Sequence, residues 1–219
     1  MNAHPKPSID TVRTIIQQIA KGLRAFHRME MLHQDLKPEN IMFDASGVVK
    51  IIDFGSVKIA GIAEIVPNIG DDTILGTLNY SAPEYHLGQR GSVRSDLFSL
   101  AVIMYEMFNN TLPFGPAMTT RADAMKLAKL RYTPSIHHNP MVPIWIDGAL
   151  QKATAINPQL RYNDLSEFLY DLTTPNHAFF SSKEAIPLLE RNPLRFWQGV
   201  SLLLLVVNIV LVYQLVKSG

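Results

Sequence analysis

The sequence contains no cysteine and almost no excess of charge of either sign. The absence of cysteine excludes a disulfide-stabilised scaffold, a thiolate metal site and a cysteine nucleophile. A formal net charge of +1 over 219 residues gives no basis for a nucleic-acid-binding surface or for an acidic disordered tail. The length instead suits one folded domain with a sizeable core and a short additional segment.

Long uncharged stretches are absent except near the C-terminus, where residues 196–216 are 21 residues without a charge. A helix of that length, at about 1.5 Å per residue, is about 30 Å long and matches the apolar core of a bilayer. The alternative, a helix buried in a globular core, needs some polar face and usually has fewer residues. The sequence therefore predicts a transmembrane helix over residues 196–216.

Charges beside this segment predict its orientation. Arg191 and Arg195 precede it, whereas Lys217 alone follows it. Because positive residues favour the cytoplasmic side, residues 1–195 are predicted to be cytoplasmic, on a single-pass tail anchor. Residues 173–195 contain three prolines and are predicted to be a juxtamembrane linker.

Residues 1–172 are predicted to form a mainly helical domain. Apolar residues recur at helical spacing from about residue 9 to residue 29, with Ser8 available as a cap. A second helix, at about residues 96–108, is apolar on nearly every side, which is typical of a helix at the centre of a domain. Further helices are predicted at residues 121–130, 144–154 and 164–172.

One β-hairpin is predicted within this helical domain, from residues 41–43 and 48–52 around a four-residue turn. Asn40 precedes its first strand and Asp53 follows its second, thirteen positions later. Because the open ends of a hairpin are neighbours, we expect the two side chains to meet. Amide and carboxylate oxygens are hard ligands that suit Mg²⁺, which keeps waters and shares phosphate oxygens.

The loop before the hairpin carries two more groups with suitable chemistry. Asp35 is close enough to accept a proton from an attacking hydroxyl, and Lys37 is placed to neutralise charge on a transferring phosphoryl group. Phosphoryl transfer requires such positioning and charge neutralisation, with little covalent work. His27 has no partner at metal-ligand spacing and is interpreted as a solvated or core residue.

These motifs resemble those of the protein kinase family, specifically its serine/threonine branch. Residues 33–40 read HQDLKPEN, residues 53–55 read DFG, and residues 76–84 read GTLNYSAPE, like the end of an activation segment. Residues 95–100 resemble the start of the central helix of the C-lobe. Over residues 1–172 the resemblance implies a kinase C-lobe fold, with ATP and Mg²⁺ as cofactors and a protein serine or threonine hydroxyl as acceptor.

The resemblance also implies a role for each matching residue. Asp35 would be the catalytic base, Lys37 a phosphate contact, and Asn40 and Asp53 the Mg²⁺ ligands. His33 and Phe54 would pack rather than react, and Gly55 would also have a structural role. Asp96 would order the loop backbone through hydrogen bonds. Glu84 and Arg161 would form a structural ion pair. Thr73 and Thr77 fall in the activation segment.

The parts of a kinase N-lobe are not found before Ser8: there is no glycine-rich loop, strand lysine or partner glutamate. In the family these parts cover ATP and hold its phosphates. We therefore expect these 219 residues alone to be feeble or inactive. Three explanations are open: a truncated kinase, an N-lobe supplied by another chain, or a degenerate kinase fold kept as a membrane-attached binding module.

Two further resemblances bear on function. Small-molecule phosphotransferases of the aminoglycoside or choline kinase type share the HxD and asparagine pattern, but they generally lack the long segment that ends in Ala-Pro-Glu. Residues 51–61, together with the tail anchor, resemble bacterial kinases fused to a PP2C-type phosphatase. That likeness implies an upstream phosphatase domain and a bacterial inner-membrane location. The near-zero net charge separately predicts no nucleic-acid partner.

One departure from the family pattern leads to a prediction about regulation. Gln34 occupies the position of the arginine that normally binds a phosphate on the activation segment. We therefore expect activity not to depend on phosphorylation of Ser56, Thr73 or Thr77 through such a clamp. Peptide phosphorylation by a Thr73→Ala variant, assayed with a complete catalytic domain, should match the unsubstituted protein. Loss of activity in that variant, restored by Thr73→Asp, would contradict the prediction.

Overall fold

The structure is a computed structural model that describes residues 6–53, 58–59, 79–115 and 124–181, and five single positions between 201 and 217. It divides into two compact units, Met1–Phe180 and Ser181–Gly219. The described part of the first unit is mainly helical and contains two short antiparallel strand pairs. A helix-rich fold with a small sheet is thus confirmed.

The first helix, α1, spans Ile9–Arg28 and lies within one residue of its predicted bounds. It begins there because the Ser8 hydroxyl accepts a hydrogen bond from the Thr11 amide at 3.1 Å. One face of the helix is buried in the core through Val12, Ile16, Ile19, Ala20 and Leu23. On another side, the Gln18 Oε1 accepts the Val49 amide at 2.9 Å, which fixes the hairpin against the helix.

The strands are β1 (Met31–Leu32), β2 (Ile41–Phe43), β3 (Val49–Ile51) and β4 (Lys58–Ile59). Strands β2 and β3 form the predicted hairpin, with Ile41 opposite Ile51. Its turn is closed by the Asp44 carboxylate, which accepts the Val48 amide at 3.0 Å, and by Gly47 at a φ of +80°. The pairing of β1 with β4 was not predicted, because two-residue strands carry no readable periodicity.

Helix α2 spans Pro83–His86 and helix α3 spans Val93–Asn109. Helix α3 lies at the centre of the domain and is buried on nearly every side. It begins three residues before its predicted start, because Ser92 and Ser95 form a reciprocal capping box. It ends at Asn110, which adopts a left-handed conformation with a φ of +55°.

Three helices follow: α4 (Ala124–Lys129), α5 (Ile144–Ala153) and α6 (Leu165–Thr173). Helix α5 packs against both α3 and α6, and α6 also packs against α1. The observed bounds of α5 and α6 confirm the prediction within one residue. Residues 121–123, the predicted start of α4, lie outside the described residues.

The predicted membrane segment, residues 196–216, lies almost wholly outside the described residues. The positions that are described, Ser201, Leu204, Asn208 and Gln214, are helical and exposed, and the Asn208 amide donates to the Leu204 carbonyl at 2.9 Å. Among the described residues, no helix has the length and apolar character that crossing a bilayer requires. The transmembrane helix therefore stays a prediction.

Candidate active site

A buried carboxylate in the first turn of α3 organises the loop of residues 33–40. Asp96 is 1% exposed, and its two oxygens accept the amides of His33 and Gln34, each at 2.9 Å. Gln34 has a φ of +66°, a left-handed conformation that costs energy for a residue other than glycine. These contacts are the ones that the sequence analysis assigned to Asp96, and they hold the loop in its strained form.

His27 is a third partner of this carboxylate. Its Nε2 lies 2.9 Å from Asp96 Oδ2, and the imidazole is largely buried. His27 is therefore largely buried, in line with the core alternative of the two that the sequence left open, and its hydrogen-bond partner was not predicted. Its partner lies 69 positions away in the sequence, so no local spacing could have revealed it.

Three polar residues meet on the loop in front of the hairpin. Lys37 Nζ lies 2.8 Å from Asp35 Oδ2. The Asn40 amide nitrogen donates to the Asp35 carbonyl at 2.8 Å and to Asp35 Oδ2 at 3.3 Å. The Asp35 and Lys37 side chains are 18% and 20% exposed, so solvent and substrate can reach them. The structure thus brings together three of the four residues predicted for chemistry.

The fourth residue, Asp53, follows directly on the hairpin. The Ile52 amide donates to the Asn40 carbonyl at 2.9 Å, which extends the ladder and brings Asp53 to the hairpin's open end. Asp53 is exposed and has a φ of +61°, a region that aspartate tolerates better than most residues. Because the Asn40 nitrogen faces Asp35, its Oδ1 points away and can act as an acceptor.

The donor set at this end of the hairpin fits Mg²⁺. One amide oxygen and one carboxylate are hard ligands, and Mg²⁺ takes its remaining ligands from water and from substrate phosphates. In the parts of the chain that the structure describes, no group of three or more histidine, aspartate or glutamate side chains forms a metal cage. Asn40 and Asp53 thus offer two hard oxygen ligands at the open end of the hairpin.

His33 is fully buried and packs its ring edge-on against Phe26, with 6.0 Å between ring centroids. Burial lowers the pKa of His33, although the nearby carboxylates of Asp96, Asp35 and Asp53 and the Ile52 backbone favour the charged form. A buried neutral imidazole is suited to packing rather than to proton transfer at a substrate.

The end of the activation segment is held by a buried ion pair. Arg161 donates to both oxygens of Glu84, at 2.9 and 2.8 Å, and the side chains are 0% and 4% exposed. The Ser95 hydroxyl also donates to Glu84, at 2.6 Å. Burial acts to raise the pKa of Glu84, but the hydrogen bonds and charge of Arg161 outweigh it and lower that pKa below its ordinary value. The structure thus forms the pair that the sequence predicted.

A second contact in this region was not predicted. The Tyr80 hydroxyl donates to Glu106 Oε2 on α3 at 2.6 Å, and burial together with Glu106 raises the pKa of Tyr80 well above its ordinary value. The contact ties the residues before Pro83 to the central helix. Tyr80 belongs to the motif of residues 76–84, but Glu106 belongs to none of the motifs described above, so no signal in the sequence pointed to their pairing.

Four residues with predicted roles lie outside the described part of the chain: Phe54, Gly55, Thr73 and Thr77. Their assigned roles stay predictions. The same holds for Ser56 and for most of the segment that precedes Asn79.

Comparison with known proteins agrees with this site. The family model of the protein kinase domain matches residues 2–190. The chain therefore belongs to the protein kinase family. Its similarity to characterised and probable serine/threonine-protein kinases places it in the serine/threonine branch, as its motifs predicted. This assignment favours a protein kinase over a small-molecule phosphotransferase.

The relatives are longer proteins. The chain is 30% identical over 165 residues to the probable serine/threonine-protein kinase PknB of Lactococcus lactis, covering 75% of this chain and 26% of that protein. It is 28% identical over 171 residues to the serine/threonine-protein kinase PrkC of Bacillus subtilis, covering 78% and 25%. It is 34% identical over 157 residues to PknL of Mycobacterium tuberculosis, covering 70% and 37%. The chain thus spans about a quarter of the first two proteins.

The Glu84–Arg161 pair leads to a stability prediction. Replacing Arg161 by methionine leaves a buried carboxylate without its cation, which should lower the free energy of unfolding by about 3–5 kcal/mol. The double variant Glu84→Met with Arg161→Met removes both charges and should lose less than Arg161→Met alone. Urea unfolding measures both values, and equal losses would contradict a buried, coupled pair.

The pH dependence provides a control for the same pair. Because the pKa of Glu84 is below its ordinary value of 4.5, its contribution is present at neutral pH and is lost as the pH falls through the lowered pKa. The acid-induced loss of stability should therefore be smaller in the double variant. If the double variant loses as much stability at acid pH as the unsubstituted protein, Glu84 does not contribute to that loss.

Proposed function

We propose that this protein is a serine/threonine protein kinase, which transfers the γ-phosphoryl group of ATP to a protein serine or threonine hydroxyl. The observation that carries the proposal is the contact of Asp35 with both Lys37 and Asn40, at 2.8–3.3 Å, beside the hairpin end that bears Asp53. The names of the relatives support it. The nature of the protein substrate stays open.

Asp35 would accept the proton of the attacking hydroxyl. Its carboxylate is partly exposed, and the contacts from Lys37 and Asn40 fix its orientation. The loop that carries it is itself held by Asp96. A positioned base of this kind typically contributes about 10²- to 10⁴-fold to the rate.

The cofactors would be ATP and Mg²⁺. Asn40 Oδ1 and the Asp53 carboxylate would hold Mg²⁺, which neutralises charge on the nucleotide phosphates when it is bound. Lys37 is long enough to turn its ammonium from Asp35 toward a phosphoryl oxygen while it remains beside the base. The protein's own part is thus to position the hydroxyl, to take its proton and to offset charge.

The proposed phosphoryl transfer also requires an upper lobe that covers the nucleotide. We propose that this lobe belongs to a longer form of the same protein or to another chain. The PP2C-type phosphatase that the sequence resemblance implied stays a prediction of the same kind. The rival function, a pseudokinase-like binding module, requires neither the base nor the Mg²⁺ ligands.

The test is an Asp35→Asn variant in a protein that includes the upper lobe. Peptide phosphorylation should fall by about 10²- to 10⁴-fold, while thermal stabilisation by Mg·ATP persists. The control Glu30→Gln removes an exposed carboxylate outside the site and should keep full activity. Undiminished turnover in Asp35→Asn would overturn the assignment of the base. The absence of any thermal shift with millimolar Mg·ATP would favour the binding module.

We also propose that the protein is anchored in a membrane, in bacteria the inner membrane, by residues 196–216. The support is the absence of charge over these 21 residues and the two arginines, Arg191 and Arg195, that precede them. In this arrangement the kinase domain faces the cytoplasm.

Carbonate extraction tests the anchor. The chain should stay in the membrane pellet, and Val207→Arg, at a cost of about 2.5–3.5 kcal/mol near the centre of a span, should release part of it. The matched control Ser218→Arg lies beyond the segment and should have no effect.

Because the chain has no cysteine, Ser8→Cys supplies a unique thiol that an impermeant maleimide should label only after permeabilisation. Labelling of intact cells, or full extraction of the unsubstituted chain, would contradict the proposal.

A further inference from the structure

The chain does not leave the domain where α6 ends. Residues 174–181, called the strap below, fold back and finish in a short 3₁₀ helix, His177–Ser181. The Asn176 amide donates to Asp171 Oδ1 at 3.1 Å, while its own Oδ1 accepts the Ala178 amide at 3.0 Å. Asp171 is almost fully buried, and its other oxygen accepts the hydroxyl of Tyr162 in the core at 2.7 Å. The strap thus has a polar anchor that reaches the interior.

A second, aromatic anchor lies on α5. Phe179 packs directly over Gly148: a Cβ atom at this glycine would lie 2.6 Å from both Cβ and Cγ of Phe179, closer than atoms can approach. Phe180 is in edge contact with Trp145, at 6.3 Å between ring centroids, and lies at a tilt to the His177 ring, at 5.1 Å. Glycine is unfavourable inside a helix. Gly148 is nevertheless found in the middle of α5, because only a residue without a Cβ atom leaves room for the Phe179 ring.

The closed strap is only partly buried. Phe179 and Phe180 are half-buried, and the preceding positions His177 and Ala178 are exposed. Within the described part of the chain, the buried indole N–H of Trp145, whose ring contacts Phe180, has no acceptor, which costs free energy in this arrangement. Segments with few buried contacts open at low free energy without global unfolding.

We propose that residues 174–181 are a latch on α5 that opens and closes and so sets where the chain leaves the domain. When the strap is closed, residues 174–181 are held against the domain. When it is open, these eight residues can extend over roughly 26–29 Å, at about 3.3–3.6 Å per residue. The consequence for reach rests on the proposed membrane attachment, but the latch itself does not.

Gly148→Ala tests the latch, because its effect on stability depends on whether the strap is closed over α5. In a helix without a strap, Gly148→Ala is stabilising, because alanine is the better helix former. Under a closed strap, the new Cβ displaces Phe179 and should open the latch. Chymotrypsin cleavage after Phe179 and Phe180 in the full chain, followed by mass spectrometry, should then be roughly 5- to 30-fold faster than in the unsubstituted protein. Gln151→Ala, at an exposed position of the same helix, should leave the rate unchanged.

A double-variant cycle tests whether Gly148→Ala acts through its contact with Phe179. In a Phe179→Ala background, Gly148→Ala should raise the melting temperature, whereas in the unsubstituted protein it should not. Trp197→Phe leaves Trp145 as the sole tryptophan, and Gly148→Ala should red-shift its emission. Additive effects of the two substitutions, or an unchanged cleavage rate, would overturn the proposal. These readouts need neither ATP nor a membrane, so their failure is distinct from failure of the proposed function.

Discussion

The buried carboxylate of Asp96 is the interaction on which the candidate site depends. It receives the amides of His33 and Gln34 and the ring of His27, all at 2.9 Å. A carboxylate in an apolar core is stable only when donors surround it. Because its donors lie on the loop and at the end of α1, satisfying Asp96 requires the loop to adopt one conformation, with Gln34 in a left-handed turn. That conformation places the following residue, Asp35, beside Lys37 and Asn40.

Helix α3 extends this control beyond the loop. Ser95, next to Asp96, donates to Glu84 and thereby supports the ion pair with Arg161. Near the other end of the helix, Glu106 accepts the hydroxyl of Tyr80. One buried helix therefore holds the loop of residues 33–40 and supports the described contacts of Glu84 and Tyr80. Its almost complete burial explains why these polar groups are so closely matched, since an unpaired polar group there would cost about 1–3 kcal/mol.

Sequence patterns predicted those features whose cause is local. The bounds of α1, α5 and α6 follow from helical periodicity and capping, and the hairpin follows from the Asp44–Gly47 turn between two apolar runs. Motif spacing led to Asp35, Asn40 and Asp53, because a hairpin brings its ends together whatever its environment. The three prolines of residues 173–195 predict a linker and give no sign that residues 177–181 form a 3₁₀ helix. Their packing depends on Gly148, a partner far away in the sequence.

The amino-acid sequence by itself determined the helical class of the domain, its kinase family and the residue types that its chemistry needs. Each of these follows from short-range patterns in the sequence, namely periodicity, turns and contiguous motifs. Only the tertiary structure decided that His27 completes the shell of Asp96, that Tyr80 binds Glu106, and that Phe179 rests on Gly148. Such pairings join positions tens of residues apart, and they arise from the three-dimensional requirement that buried polar groups find partners and buried surfaces fit without voids.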